Sequence, residues 1–149
     1  MKKTPPTSIS IINSQKEVRI PVVRLAGCLA RLSLLEHLPH AEINVVFLDA
    51  PNMSRLNWQF LRHRGPTDVI TFQHGEIIVC PTIAAREATK RGVPVFHEML
   101  LYAIHGWLHL RGHDDHCAKD AEVMATAQEA LLKKLLKKQV AEQKSMSAK

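Results

Sequence analysis

The stretch from residue 94 to residue 110 limits the possible folds of this chain more than any other feature. Its sequence, PVFHEMLLYAIHGWLHL, is apolar over most of its length. Gly92 closes the element before it, Pro94 suits a first helical turn, and Gly112 lies where such a helix would stop. The pattern predicts one helix that is largely buried.

Two histidines lie on one face of this predicted helix. His105 and His109 are four residues apart, so their side chains are one turn apart and can converge on one small cation. Buried imidazoles without partners are costly, which favours a shared ligand. The alternative is a pair of core histidines capped by the following loop. The spacing predicts the first two ligands of a zinc ion, with one Zn²⁺ per chain.

The chain after Gly112 can turn back and supply a third ligand. The candidates are His113, Asp115 and His116. The spacing H-x-x-x-H-x-x-G-x-x-D favours Asp115, because it repeats the helical pair, glycine turn and third ligand of H-E-x-x-H-x-x-G-x-x-H zinc enzymes. His116 is the alternative, since imidazole is the commoner zinc ligand. Three protein ligands leave a fourth position for water, as in catalytic zinc sites.

Length and composition indicate one domain, residues 1–149, with a frayed tail at residues 144–149. No apolar run approaches the length of a membrane span, and the first residues lack the apolar part of a secretory signal. A cytoplasmic location is therefore predicted. The net charge of +6 favours a polyanionic partner. Three cysteines at unrelated spacings predict neither a disulfide framework nor a C-x-x-C site.

The rest of the chain alternates short strands and helices. Apolar and β-branched runs predict strands at residues 8–12, 17–20, 42–48, 68–72 and 76–80. Helical spacing predicts helices at residues 21–38, 54–61, 83–91 and 118–139, the second of them capped by Ser54. This order predicts an α+β fold, a small mixed β-sheet covered by helices, with the metal site at the end of a buried helix.

Four motifs occur in a characteristic order along the chain. They are Leu56-Asn57, Pro66-Thr67-Asp68-Val69-Ile70-Thr71-Phe72, Gly75-Glu76-Ile77 and His105-Gly106-x-Leu108-His109-Leu110-x-Gly112. Together they resemble the YbeY family of single-strand-specific endoribonucleases, over about residue 45 to Met124. The resemblance implies a zinc-dependent ribonuclease of the cytoplasm that acts in small-subunit ribosomal RNA maturation and ribosome quality control. Its implied partners are single-stranded RNA and the ribosome; neither DNA nor a membrane is predicted.

The chain departs from the family pattern in two places. The family's usual Gly-Tyr-Asp-His ending is Gly112-His113-Asp114-Asp115 here, so Asp115 stands at the position of the third histidine ligand and His116 follows it. The basic residue that the family places four residues after Leu-Asn is Leu61 here, and Arg62 follows directly.

Two further residues are predicted to assist catalysis. An arginine near the metal would stabilise the charge of a phosphodiester transition state, and Arg62 is the first candidate, ahead of Arg64 and Arg86. Asp114 is predicted to orient a ligand histidine or to accept a proton from the attacking water. The alternative for Asp114 is a turn in which it bonds its own backbone.

Two other functions fit part of the pattern. A zinc metalloprotease has the same ligand spacing, but the glutamate that follows its first histidine is Gly106 here, which cannot move a proton. A noncatalytic ribosome-associated factor with a structural zinc predicts a closed site of four ligands, with both Asp115 and His116 or with Cys117. The number of protein ligands distinguishes this factor from an enzyme.

Overall fold

The fold of the chain is an α+β fold, as the sequence predicts. The computed structural model describes the backbone of residues 6–147 and the side chains of residues 6–137. The elements in chain order are β1 (Ser8–Ser14), α1 (Val22–Leu35), β2 (Glu42–Leu48), α2 (Ala50–Leu61), β3 (Val69–Phe72), β4 (Glu76–Val79), α3 (Pro81–Arg91), α4 (Val95–Leu110) and α5 (Ala118–Ser147).

The strands form one mixed sheet in the order β1-β2-β4-β3. β1, β2 and β4 run parallel, with Ser8 opposite Glu42 at one end of the first pair. β3 runs antiparallel to β4, with Val69 opposite Val79. β3 is therefore a short strand at one edge of the sheet.

The two faces of the sheet carry cores of different size. The larger core lies against α1, α4 and α5 and takes in alternate residues of β2, among them Val45 and Phe47. The smaller core lies on the opposite face and includes Met53 of α2 with Ile70 and Ile78 of the sheet. Because successive strand residues point to opposite faces, the consecutive apolar residues 45–48 of β2 supply side chains to both cores.

The helix predicted at residues 94–110 is α4, and it is the most buried helix of the larger core. Twelve of its 16 residues are buried. Trp107 is fully buried, and its Nε1 donates a hydrogen bond of 2.8 Å to the Glu36 carbonyl oxygen. The tryptophan between the two histidines therefore belongs to the core rather than to a surface.

Gly106 brings the second half of α4 close to the sheet. A Cβ atom added at Gly106 would lie 2.6 Å from Cγ2 of Ile77 and 3.0 Å from Oγ1 of Thr71. These distances leave no room for a side chain, so glycine permits the close approach of α4 to β3 and β4.

The strand predicted at residues 17–20 is wrong. The buried side chain of Gln15 accepts a hydrogen bond from the Val18 backbone nitrogen at 2.9 Å and donates one to the Val18 carbonyl oxygen at 2.8 Å. These two bonds turn the chain directly after β1, so the β-branched residues that follow form a bend that leads into α1.

The predicted start of α2 is also wrong. Asp49, not Ser54, caps the helix, because its carboxylate accepts a hydrogen bond of 2.8 Å from the Asn52 backbone nitrogen. Ser54 lies inside the helix and donates to the Ala50 carbonyl oxygen at 2.9 Å. Asp49 followed by proline two positions later is a common helix start, so α2 begins directly after β2.

The last helix is longer than predicted. α5 continues to Ser147, past the predicted end at Gln139. The frayed tail predicted at residues 144–149 lies partly outside the described residues. No helix in the described part of the chain combines the length and the apolar character needed to cross a membrane.

Candidate metal centre

The end of α4 and the turn after it bring three side chains together. The Nε2 atoms of His105 and His109 are 3.1 Å apart, and Oδ2 of Asp115 lies 3.6 Å from each. In a tetrahedral zinc site with bonds of about 2.0–2.1 Å, neighbouring ligand atoms are about 3.3–3.4 Å apart. The three atoms thus have the spacing of three corners of such a site. We call these three residues the His/Asp cluster.

The His/Asp cluster is accessible from solvent. The side chains of His105, His109 and Asp115 are 26%, 23% and 39% exposed. The two histidines extend from a buried helix, whereas Asp115 lies on the exposed turn. One side of the triangle is therefore open to a ligand from outside the protein.

The second ring nitrogen of each histidine contacts an oxygen. Nδ1 of His109 lies 3.1 Å from the carbonyl oxygen of His113, and Nδ1 of His105 lies 2.9 Å from Oε1 of Gln128 on α5. Because these oxygens accept hydrogen bonds, each Nδ1 carries the hydrogen and each Nε2 directs a lone pair into the cluster. Two lone pairs and a carboxylate at this spacing repel one another without a cation between them. The donor set and its orientation fit a divalent metal ion.

The surroundings of His109 favour the neutral imidazole. Burial lowers the pKa of His109 below its ordinary value of 6.5, and the neighbouring His105 lowers this pKa further. The Asp115 carboxylate acts in the opposite direction without cancelling them. A neutral ring is the form of histidine that binds a metal, so burial favours the metal-binding form of His109.

Gly112 makes the turn that returns Asp115 to the helix end. Its φ of 105° lies in the region that favours glycine. The backbone nitrogen of Gly112 donates to the His109 carbonyl oxygen, and that of His113 donates to the Leu108 carbonyl oxygen, each at 3.0 Å. These bonds close α4 and reverse the chain within a few residues.

Asp115, rather than His116, lies with the two helical histidines. The His116 side chain is 90% exposed, and its Nε2 lies 3.4 Å from Oδ1 of Asp114. Asp114 also accepts a hydrogen bond of 3.0 Å from the His116 backbone nitrogen, which is the turn alternative predicted for it. Asp114, Asp115 and His116 form a second, exposed group of possible ligands. Cys117 instead accepts from the Asp120 nitrogen at the start of α5.

The structure places Arg62 at the end of α2, whereas His105, His109 and Asp115 lie on α4 and the turn after it. Arg62 ends α2 in the left-handed region, with a φ of 57°, and its guanidinium carbon lies 5.6 Å from the ring centre of Trp58. Arg64 and Arg86, the other two candidates, are exposed. Arg62, the residue predicted to bind phosphate, therefore lies on the surface at the end of α2.

Gln128 is the residue of this site that the sequence reasoning missed. It follows His105 by 23 residues on a different helix, so no local spacing connects the two. The available signal was its place on α5, where it shares the apolar stripe of Met124, Leu131 and Leu135. A polar residue in an apolar stripe requires a buried partner, and here that partner is a histidine ring.

Comparison with known proteins identifies the family. Residues 10–136 match the family described as Endoribonuclease YbeY. The chain belongs to this family. It is 38% identical over 95 residues to the Endoribonuclease YbeY of Elusimicrobium minutum, a match that covers 56% of this chain and 66% of that protein. It is 35% identical over 133 residues to the Endoribonuclease YbeY of Clavibacter sepedonicus, covering 77% of this chain and 86% of that protein.

A solved structure agrees with this assignment. A Thermotoga maritima protein with a known solution structure is 26% identical and superimposes with a TM-score of 0.68, covering 90% of this chain and 93% of that one. The chain spans only part of some relatives: just under two thirds of the Elusimicrobium minutum protein and 63% of the Rhodococcus opacus Endoribonuclease YbeY. The resemblance seen in the sequence motifs is confirmed.

Proposed function

We propose that this chain is a metal-dependent endoribonuclease that hydrolyses single-stranded RNA. The observation that carries the proposal is the His/Asp cluster, two outward-facing imidazole lone pairs and a carboxylate on a triangle open to solvent. Membership of the Endoribonuclease YbeY family supports RNA as the substrate. The net charge of +6 also favours a polyanion over a peptide.

The chain's own residues would hold and orient the metal. His105, His109 and Asp115 are the proposed ligands, while Gln128 and the His113 carbonyl oxygen fix the two rings. Two nitrogens and one oxygen at tetrahedral spacing favour zinc, one ion per chain. A bound divalent ion supplies Lewis-acid activation of water and of a phosphoryl oxygen.

Asp114 and Arg62 are proposed supporting residues. The Asp114 carboxylate is exposed beside Asp115, so it is accessible to accept a proton from the attacking water. Arg62 is proposed to bind an RNA phosphate from the end of α2.

A structural zinc site has less support than a catalytic one. It needs a fourth protein ligand, and His116 and Cys117 are the residues that the sequence offers. His116 is 90% exposed beside Asp114, and Cys117 contacts the start of α5. The geometry supports three protein ligands and a free position.

Cleavage assays on two polymers test the proposal. The zinc-loaded chain should cut single-stranded RNA and leave casein intact, and His109→Ala should lose RNA cleavage. His116→Ala is the matched control, a neighbouring exposed histidine whose loss should leave the cleavage rate within about twofold, because an exposed group makes few contacts. Casein cleavage with intact RNA, or full RNA cleavage by His109→Ala, would overturn the proposal.

We propose small-subunit ribosomal RNA as the cellular substrate, the ribosome as the partner, and the cytoplasm as the location. Family membership and the charge of the chain support this assignment. Cells without the protein should accumulate unprocessed small-subunit ribosomal RNA, and the wild-type chain but not His109→Ala should restore processing. Normal processing in cells without the protein would contradict the assignment.

A further inference from the structure

β1 presents an unprotected edge of the sheet. It pairs with β2 on one side, and no other strand in the described part of the chain pairs with it. Open edges attract further strands, and proteins usually limit this with short edge strands, charges or prolines. The opposite edge strand, β3, has four residues, whereas β1 has seven, SISIINS, with no charge and no proline. β1 therefore lacks the features that keep a sheet edge from pairing.

The outer side of β1 carries free backbone hydrogen-bonding groups. The Ser8 nitrogen donates to the Ala41 carbonyl oxygen at 2.9 Å, so the backbone of Ser8 faces β2. Successive residues of a strand direct their N–H and C=O groups to opposite sides, so every second residue of β1 faces away from β2. These outward-facing residues are Ile9, Ile11 and Asn13. A further strand beside β1 would bond to them.

The two charges of α1, the helix that packs on β1, are directed toward the other helices. They belong to Arg24 and Arg31, and α1 contains no aspartate or glutamate. The guanidinium carbon of Arg24 lies 3.8 Å from the ring centre of Phe96 on α4. Arg31 donates to the Leu135 carbonyl oxygen on α5 at 3.4 Å. The cationic flank of α1 is therefore the one that faces α4 and α5.

The opposite flank of α1 lies toward the open edge of the sheet. α1 packs on β1 and α4 packs on β3 and β4, so the flank of α1 away from α4 lies beside the outer edge of β1. Val22, Ala26 and Ala30 follow at intervals of four residues and form an exposed row there, opposite the two arginines. Next to this row, Val23 is 88% exposed. We call this row and the outer edge of β1 the uncharged face.

We propose that two copies of this chain associate through the uncharged face. β1 of each copy pairs antiparallel with β1 of the other about a two-fold axis, and the two α1 helices pack on each other above the joined strands. A two-fold axis places each surface opposite itself, so a second copy supplies both a strand and an apolar row. Ala26 and Ala30 permit the separation of about 8–10 Å at which helices pack.

The charge of the chain favours a second copy over RNA on this face. With a net charge of +6, two copies repel one another over most of their surface and meet most readily where charges are absent. A surface that binds RNA would instead direct arginine or lysine side chains at the phosphates. The uncharged face has neither, which favours self-association.

The pairing leaves the His/Asp cluster open in both copies. A Cβ atom at Gly106, next to His105, would meet the Thr71 side chain of β3, so this part of α4 lies over β3. β3 is the edge strand opposite β1, so the metal-binding end of α4 lies away from the joined edges. Self-association is therefore independent of the proposed nuclease activity.

Sedimentation equilibrium of the full-length chain tests the association. The mass should rise from that of one chain to that of two as the concentration increases. Ala26→Lys keeps a good helix former on α1 but places a charge in the contact, and it should weaken the association at least about tenfold. Ala130→Lys is the matched control, an exposed alanine on α5, and it should associate like the wild type.

Two results of this experiment would overturn the proposal. One is the mass of a single chain at every concentration, which would leave the open edge to a strand from a different protein. The other is equal association of Ala26→Lys and the wild type, which would show that the copies meet through another surface.

Hydrogen exchange identifies the strand that pairs. The amides of Ile9, Ile11 and Asn13 should exchange more slowly as the protein concentration rises, because the second copy covers them. The amides of Ser10 and Ile12 face β2 and should be protected at every concentration. Unchanged exchange of the three outward amides in a sample that sediments as a dimer would contradict pairing through β1.

The two proposals fail in different experiments. A dimer without zinc-dependent RNA cleavage would refute the nuclease activity and keep the association. Zinc-dependent cleavage by a chain that stays single at every concentration would refute the association and keep the nuclease activity.

Discussion

Asp115 is the residue at which the proposed metal site departs from the motif expected of the family. A carboxylate in place of an imidazole keeps the number of ligands and adds a negative charge to the cluster, which favours a divalent cation. Because Asp115 is a proposed direct ligand, Asp115→Ala should weaken zinc binding by at least about 100-fold, the upper range for residues that only support ligands. His116→Ala should change the zinc affinity by less than about threefold, since an exposed side chain that is not a ligand contributes little to binding.

Competition with a chromophoric chelator measures both affinities. If His116→Ala shows the larger loss, the third ligand is His116 and the turn rearranges when the metal binds.

Gln128 should matter to the metal without touching it. Its oxygen lies 2.9 Å from Nδ1 of His105 and holds the ring with Nε2 facing the cluster. Gln128→Ala should therefore weaken zinc binding by about 10- to 100-fold. Gln128→Glu keeps an acceptor at this position and should retain the affinity. Equal losses in the two variants, in the same chelator competition, would show that Gln128 acts only through packing.

The lowered pKa of His109 predicts how the metal-free protein responds to acid. Since burial first and His105 second lower this pKa, the folded chain takes up the proton at a lower pH than the unfolded chain does. The stability due to neutral His109 is complete above pH 6.5 and is lost as the pH falls toward the lowered pKa. Urea unfolding at pH 7.5 and pH 5 should therefore show a smaller loss of stability for His109→Gln than for the wild type. An equal loss would contradict the pKa direction.

At the level of the elements, the position of α4 depends on a glycine that helix propensity disfavours. Gly106→Ala places a methyl group 2.6 Å from Ile77 Cγ2, and such overpacking costs about 1–3 kcal/mol. Gly27→Ala is the matched control in the middle of α1, where the added Cβ would lie 4.0 Å from an arginine nitrogen. It should gain up to about 1 kcal/mol from helix propensity. In thermal unfolding, Gly106→Ala should lower the melting temperature and Gly27→Ala should raise it. A rise in both variants would show that α4 can move to accept the added methyl group.

The sequence predicted the elements where one local pattern determined them. β2 occupies its predicted residues because it is a short apolar run, rich in β-branched residues, that stops at Asp49, and α4 ends where Gly112 requires. The false strand at residues 17–20 and the misplaced cap at Ser54 depend on side-chain hydrogen bonds of Gln15 and Asp49. Propensity and periodicity do not contain these bonds, so the errors fall at turns and helix ends.

In the candidate site, too, the sequence predicted the contacts that local spacing determines and not those between distant elements. The spacing of His105, His109 and Asp115 follows from one helix and one glycine turn, so the sequence predicted that these residues come together. Gln128 enters from α5, and its contact with His105 is decided by the packing of α5 against α4. Sites built from distant elements require the fold before they can be recognised.

For the whole molecule, the core and the site are separate parts of one domain. The larger core packs around α4 from Phe96 to Leu110, while the His/Asp cluster lies at the solvent-exposed end of that helix. We therefore expect the fold to stay intact when the metal is removed. Circular dichroism of the metal-free protein verifies this and makes the activity measurements interpretable.

The initial rate of single-stranded RNA cleavage, measured as zinc is added to the metal-free chain, tests the central claim most directly. The rate should rise linearly to a plateau at about one zinc per chain, the stoichiometry of a single three-ligand site with a free position. In Asp115→Ala the same titration should stay near the baseline. A zinc-independent rate, or full activation of Asp115→Ala at one zinc per chain, would contradict the account.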